Sequence, residues 1–382
     1  MQNVVIAGYA RSPFTLARKG ALVRVRPDDL AAQVVRGLIE RTGVPAEDIE
    51  DVIVGCAFPE GEQGLNVGRL IALLADLPLR VAGMTVNRFC GSSMQSVHIA
   101  AGQIQLGAGE AFICAGIESM TRVPIQGFNP MLNTALHKKQ PGAYMSMGET
   151  AENVARKWQV TREQQEQFAV ESHRKAAAAQ AEGRFKDEIV PIQAKGAPNG
   201  GTVDQDGCIR PETNQEALAG LKPAFDKEGT VTAGTSSPLT DGAAAVLVCT
   251  ESYAERRGLT PLARIASVAV SGCDPSIMGI GPVQATRKAL ERAGIAVDQL
   301  ANVELNEAFA SQAIACAREL GLRDEQLNPD GGALAIGHPL GATGARIVGK
   351  AASVLKRDGG KYALATQCIG GGQGIATVLE AV

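Results

Sequence analysis

An α/β layered architecture written twice is what this 382-residue sequence predicts, and three observations carry the reading. Shifting the chain against itself by 251 residues, from Phe58 to Phe309, lays TGVPAEDIEDVIVGCAF over AGIAVDQLANVELNEAF without a gap. The same shift takes Gly109 to Gly360 and lays the strand AFICAGIES over YALATQCIG. Within each half, helix and strand patterns alternate, which implies layers built on mostly parallel sheets. A period of this length is far beyond the roughly 20 to 50 residues of a solenoid repeat, so two homologous domains are expected.

The elements follow in order within each copy. An amphipathic helix, LAAQVVRGLIERTG or ATRKALERAG, ends at Gly43 or Gly294, where glycine suits the terminating conformation. A short loop then leads into an apolar strand. The next strand end and turn carry Cys90 in one copy and His338 in the other, out of register by only three residues. Small-residue helices follow, GSSMQSVHIAAGQIQLG and GATGARIVGKAASVL, and then the strands at the second anchor of the repeat. Equivalent turns in two homologous domains would face each other across a pseudo-twofold axis, placing Cys90 beside His338. Residues 120–248 have no counterpart and are richer in Pro, Asn, Met and charge, so they read as an insertion. The first half is then 1–119 plus 249–260, and the second 261–382. Inside the insertion a helical stretch carries Thr161 and Gln164 at capping-box spacing. Long irregular insertions on a rigid scaffold more often bind than stabilise.

Composition narrows the function. Hydrophobic residues at 45% and charged residues at 20% suit a folded globular chain. A net charge of -3 gives no positive field to draw nucleic acid or anionic lipid. No apolar run reaches the roughly 18 residues that span a bilayer, and MQNVVIAGYARSPF lacks the layout of a signal peptide. A cytoplasmic protein without membrane insertion is expected. The eight cysteines form no C-x-x-C pair and the four histidines no H-E-x-x-H, so reduced thiols and no metal are expected. Nucleotide P-loop, dinucleotide glycine and G-x-S-x-G motifs fail as well. The 44 glycines crowd into GGALAIGHPLGATGAR and CIGGGQGIA, which signals close backbone approach to a ligand or another element.

Cys90 ends a β-like run in TVNRFCGSSMQ and precedes a helix, whose unpaired N–H groups and positive dipole end favour thiolate over thiol. Cys56, Cys114, Cys249 and Cys316 sit in apolar contexts and read as buried packing residues. His338, between Gly337 and Pro339, would ordinarily be a structural histidine; its symmetry relation to Cys90 makes it a candidate acid or base. His98 reads as helix packing, and His137 and His173 as loop and solvated helix positions. Cys368 closes KYALATQC ahead of three glycines, where it is either an acid or base beside oxyanion-binding N–H groups or a core cysteine before a turn. Asn306 and Glu307 end the strand VELNE, where buried polar groups need partners; the amide could position a water or a carbonyl, or cap the next helix.

Taken together, NRFCGSSMQ, NEAFA with GGALAIGHPLGATGAR after it, and CIGGGQGIA resemble the thiolases, a family of acyl-CoA acyltransferases. The resemblance runs from VVIAGYARSPF to the last strand and implies a duplicated five-layered α/β/α/β/α core with an inserted loop domain. It implies that Cys90 becomes S-acylated, that His338 activates it, and that Cys368 moves a proton at the α-carbon of the acetyl-CoA unit. One oxyanion hole would come from His338 and a water held by Asn306, the other from the N–H groups of Cys90 and Gly370.

Coenzyme A is implied as co-substrate, with no permanently bound cofactor. Its contacts would be Arg210 near the nucleotide end, Phe225 and Ala233 as walls, Ser237 at the pantetheine, and Met147 and Met278 at the pocket. A homodimer or homotetramer is implied, with TRVPIQGFNPMLNTALHKKQPGAY available for the larger assembly. Ser146 stands where short-chain biosynthetic thiolases carry histidine, and Thr235-Ser236 where many relatives have Asn-Ala. Both departures lean toward degradative cleavage of 3-ketoacyl-CoA in β-oxidation. The alternatives are acetyl-CoA C-acetyltransferase, running the reverse Claisen condensation, and an inactive acyl-CoA-binding relative. A carrier-protein ketoacyl synthase would pair its cysteine with two histidines, and here the third partner is Cys368.

Overall fold

The computed structural model describes residues 2–196 and 201–382. Its core strands are β1 (Val4–Arg11), β2 (Asp51–Gly55), β3 (Ala82–Val86), β4 (Ala111–Ser119), β5 (Thr240–Thr250), β6 (Ala263–Gly272), β7 (Leu300–Leu305), β8 (Tyr362–Ile369) and β9 (Gln373–Glu380). The principal helices are α1 (Pro27–Thr42), α2 (Val67–Leu74), α3 (Ser92–Gln105), α4 (Met147–Lys157), α5 (Arg162–Ala181), α6 (Gly281–Ala293), α7 (Ala310–Leu320) and α8 (Leu340–Asp358). None of the described helices is long and apolar enough to cross a membrane.

The strand order β7-β8-β9-β6-β1-β5-β4-β2-β3 makes the duplication visible, because it reads the same way outward from the β6–β1 seam in both directions. The seam itself is slight, with Val5 opposite Arg264 and Ile6 opposite Ala263. β2 pairs in parallel with β4 as β7 does with β8, and β4 with β5 antiparallel as β8 does with β9. Among the described residues the counterpart of β3 is a parallel bridge, Val303 to Leu327. Both copies of the first helix end as the sequence implies, with Gly43 at φ 70° and Gly294 at φ 67°. Left-handed backbone at these two positions carries no side-chain penalty in glycine.

Three buried clusters separate five layers. One lies between the first half-sheet and α1 and α2, with Leu30, Val34, Leu38, Val54 and Ile71. Another lies between the second half-sheet and α6 and α7, with Ala285, Ala289, Val303, Ala313 and Leu364. The middle cluster joins both half-sheets to α3 and α8 through Ile53, Val246, Met94, Val97, Ile347, Val348 and Ile375. Glycines let these central helices close up. A Cβ on Gly344 of α8 would lie 2.2 Å from the Met94 nitrogen, and one on Gly116 of β4 would lie 2.2 Å from the Gly341 carbonyl oxygen.

Two boundaries differ from the sequence reading. Residues 240–248, assigned there to the insertion, are the greater part of β5, which pairs along its length with β1 and β4. Every residue of this strand is buried, so it shows no alternation, and its alanines look like loop filler. The helical stretch of the insertion is two helices, broken at Gln159 (φ 52°), and the Thr161–Gln164 capping box is formed on α5.

Buried charges pin the insertion to both halves. Arg11 of β1 bridges Glu188 at 2.8 Å and Asp206 at 2.7 Å, and Lys350 of α8 bridges Glu188 at 2.8 Å and Asp330 at 2.9 Å. Glu188 is held below the usual carboxylate range: burial opposes ionisation, but Lys350 and Arg11 together outweigh it. A Lys350→Met variant removes one buried cation shared by two carboxylates, and a loss of about 3 kcal/mol in urea unfolding is expected. A loss below about 1 kcal/mol would mean that this network does not hold the insertion in place.

Candidate active site

The two turns singled out in the sequence stand at the starts of the two central helices. Phe89 adopts φ 43°, an unusual conformation for a bulky residue, and brings the chain sharply from β3 into α3 with Cys90 at the bend. Ser92 fixes the bend, accepting from the Arg88 N–H at 2.9 Å and donating to the Phe89 carbonyl at 2.6 Å. From the other half, the Gln367 side-chain amide donates to the Cys90 carbonyl, and Arg88 donates to Gln373 at 2.8 Å. The Cys90 turn is thus docked on the β8–β9 hairpin, whose Gly371 and Gly372 take φ 79° and 84°.

Cys90 is buried, with 8% of its surface exposed. Burial pushes its thiol up to about 11, while the backbone N–H groups of Gly370 and of Cys90 itself pull the other way. The N–H groups at the helix start pull toward thiolate, as the sequence implies, and desolvation outweighs them. Cys368 is buried beside it, and burial together with the charge of a Cys90 thiolate pushes its thiol well above the usual range. Two neighbouring thiols that cannot both ionise are suited to acting in turn.

His338 is pushed down to about 3, first by burial and then by the positive charge of Arg346. Gly337 (φ 111°) packs against Thr240, whose hydroxyl accepts from the His338 N–H at 3.1 Å. The ring meets Thr343 Oγ1 at 2.7 Å through Nδ1 and Asn306 Nδ2 at 3.4 Å through Nε2. Asn306 follows directly on β7, anchored to β8 by its N–H to the Thr366 carbonyl at 3.0 Å. Its side-chain oxygen is buried without a hydrogen-bond partner among the described residues, the chemistry expected of a water site. The central helices are also tied directly, the Ala345 N–H donating to Ser93 Oγ at 2.8 Å.

The residues matched to coenzyme A divide into two groups. Met278, Met147, Phe309 and Cys368 share one apolar cluster. Phe225 meets Phe309 edge-on at 5.9 Å, and Ser237 donates to the Ala308 carbonyl at 3.0 Å, two residues from Asn306. A Cβ on Gly370 would lie 3.4 Å from the Met147 sulfur, so that methionine borders the N–H that reaches Cys90. Arg210 and Ala233 lie instead at exposed positions of the insertion, and the Arg210 N–H donates to His173 Nδ1 at 3.1 Å. His173, read from sequence as a solvated position, is buried at 3% exposure because the 210 loop covers it.

The chain matches the model of the thiolase N-terminal domain over residues 4–252 and that of the thiolase C-terminal domain over 259–381. It belongs to the thiolase family. As a thiolase it is an acyltransferase, and its fold is the family's. It is 48% identical to a 3-ketoacyl-CoA thiolase of Bacillus subtilis over 389 aligned residues, with 100% of both chains covered. It is also 48% identical to one from Marinobacter nauticus, covering 100% of this chain and 99% of that one. Among solved structures it resembles the acetyl-CoA acetyltransferase of Bacillus anthracis, with TM-score 0.92, 40% identity and coverage of 100% and 99%. It also resembles human mitochondrial 3-ketoacyl-CoA thiolase in complex with CoA, with TM-score 0.91, 37% identity and coverage of 100% and 98%.

Several residues that shape the thiolase site were not found from sequence. Glu118 at the end of β4 accepts from the Ala57 N–H at 2.8 Å, the Gly341 N–H at 2.9 Å and Gln63 at 2.8 Å, joining the first half-sheet to the start of α8. Glu307, which the sequence did mark as a polar group in need of partners, has them: it accepts from Ser172 at 2.6 Å, Asn328 at 2.7 Å and the Leu334 N–H at 3.1 Å, shaping the segment that leads to His338. Gln367 beside Cys368 had a readable signal, a lone amide in an apolar strand.

Proposed function

We propose that the protein cleaves 3-ketoacyl-CoA with coenzyme A, giving acetyl-CoA and a shortened acyl-CoA, as part of fatty-acid β-oxidation. The observation that carries the reading is the surroundings of Cys90: two backbone N–H groups at its sulfur, Cys368 beside it, and the His338–Asn306 pair at the start of the facing helix.

In this mechanism the Cys90 thiol gives its proton to His338 as sulfur attacks the 3-keto carbon. The oxyanion on that carbon sits at the N–H groups of Cys90 and Gly370. The C2–C3 bond then breaks, its electrons pass to C2, and the enolate of acetyl-CoA is held by His338 and a water on Asn306. Cys368 protonates C2, and acetyl-CoA leaves. His338 then hands its proton to Cys368, takes the coenzyme A proton as that thiol attacks the acyl-Cys90 thioester, and passes it to the Cys90 sulfur as the shortened acyl-CoA leaves. Two buried thiols and a buried neutral imidazole suit this route, because each proton moves only as a bond forms or breaks. Phe225, Met147, Met278, Ser237, Ala233 and Arg210 would receive the coenzyme A.

Ser146 supports broad chain length. It caps α4 by accepting from the Glu149 N–H and donates to the Glu149 carboxylate at 2.7 Å, so its side chain is engaged in the helix start. Turnover should be compared for the four-carbon ketoacyl-CoA and for chains of about eight to sixteen carbons, which add buried methylenes. Faster cleavage of the longer chains is the expected result. Activity confined to acetoacetyl-CoA would favour the acetyltransferase reading, and no activity on any chain would overturn the proposal.

A homo-oligomer and a cytoplasmic location complete the reading. Among the described residues the edge strand β3 leaves one side unpaired, and Leu79 and Leu106 stand exposed, surface suited to a second copy. Eight unpaired cysteines suit a reducing compartment.

A further inference from the structure

A neutral imidazole carries its lone pair on one nitrogen or the other, and only a lone pair at Nε2 lets His338 receive a proton on the side where Asn306 lies. Thr343, in the first turn of α8, stands behind the ring. Its hydroxyl oxygen is 2.7 Å from Nδ1 and 3.1 Å from the carbonyl oxygen of Pro339. A hydroxyl has one proton, and a carbonyl can only accept. With the Thr343 proton on the Pro339 carbonyl, the hydroxyl oxygen accepts from Nδ1–H. On the opposite side the Asn306 amide nitrogen, a donor, stands 3.4 Å from Nε2. Both contacts fit the tautomer that carries its proton on Nδ1.

We infer that Thr343 is a positioning residue for the reaction: accepting from Nδ1–H, it fixes the imidazole with its lone pair at Nε2, ready for the Cys90 proton. This rests on the reading of His338 as the base. In the step it supports, the Cys90 S–H bond breaks, the Nε2–H bond forms, and the S–H electron pair becomes the bond from sulfur to the attacked carbonyl carbon. That carbonyl's π pair moves to its oxygen, and Nδ1–H stays on Thr343 throughout. The device uses a hydroxyl rather than a carboxylate behind the ring. It sets direction without adding a negative charge, in keeping with a histidine whose burial and Arg346 neighbour disfavour a lasting imidazolium.

Thr343 is fully buried, so a Thr343→Val variant keeps the shape and removes the acceptor. The expected result is a fall in kcat of about 10- to 100-fold, with KM for coenzyme A held within about twofold. The rate of Cys90 alkylation by iodoacetamide at fixed pH, located by peptide mass spectrometry, should fall in parallel. Thr343→Ser should restore most of both. Thr343→Ala carries the same expectation and serves if valine disturbs the helix start. Wild-type kcat and alkylation in the valine or alanine variant would overturn the inference, as would a serine variant impaired as severely as valine. Alkylation requires no acyl-CoA, so failure of ketoacyl-CoA cleavage would count against the proposed reaction and leave this test standing.

Discussion

A Cys90→Ser variant is expected to lose coenzyme A-dependent cleavage by about 10⁴-fold or more while keeping its unfolding midpoint. The hydroxyl fits the space of the thiol at the bend between β3 and α3, so Ser92, Gln367 and Arg88 keep their contacts with the turn. What changes is the nucleophile. Burial already pushes the thiol up to about 11, and an alcohol in the same place gives up its proton far less readily to a histidine held near 3. Steady-state cleavage and thermal unfolding on the same preparation check this. A serine variant retaining more than a hundredth of the activity would mean that Cys90 is not the attacking group.

Cys368→Ala should divide the reaction in two. Cys90, the Gly370 N–H and the His338–Asn306 pair remain, so exchange of an acyl group between a saturated acyl-CoA and Cys90 should persist within about tenfold. Cleavage of the carbon–carbon bond needs a proton at C2, and it should fall by about 10² to 10⁴, the span usual for a lost general acid. Isotope exchange into acyl-CoA, followed beside ketoacyl-CoA cleavage, separates the two. Equal loss of both would place Cys368 in acyl transfer itself and not at the α-carbon. Together the two variants assign separate tasks to two sulfurs that share one buried site.

Much of the fold was legible because duplication writes each element twice. The 251-residue shift that matches Gly43 to Gly294 also matches β2 to β7 and β4 to β8, and the sheet order confirms the pairing of the halves. The β5 boundary was missed where periodicity vanishes, since a strand buried on both faces and rich in alanine has no alternation to read. Cys90, His338, Cys368 and Asn306 stood out as polar residues at the ends of apolar strands or at glycine turns. Their protonation was not legible. The helix start by Cys90 suggested a thiolate, but depth of burial belongs to the packed layers and not to neighbours in sequence. His173 failed for a related reason, because the 210 loop that buries it lies 37 residues away. Thr343 and Glu118 act through contacts across the turn and across the two halves, which no single stretch of sequence displays.

The central claim is that the shortened acyl group passes through Cys90. The most direct measurement is peptide mass spectrometry of enzyme quenched in acid after mixing with a 3-ketoacyl-CoA in the absence of free coenzyme A. The account predicts one equivalent of the shortened acyl group as a thioester on the peptide containing Cys90, removed on addition of coenzyme A. Acyl mass on Cys368 or any other cysteine, or cleavage products formed with no acyl mass on Cys90 at any quench time, would contradict it.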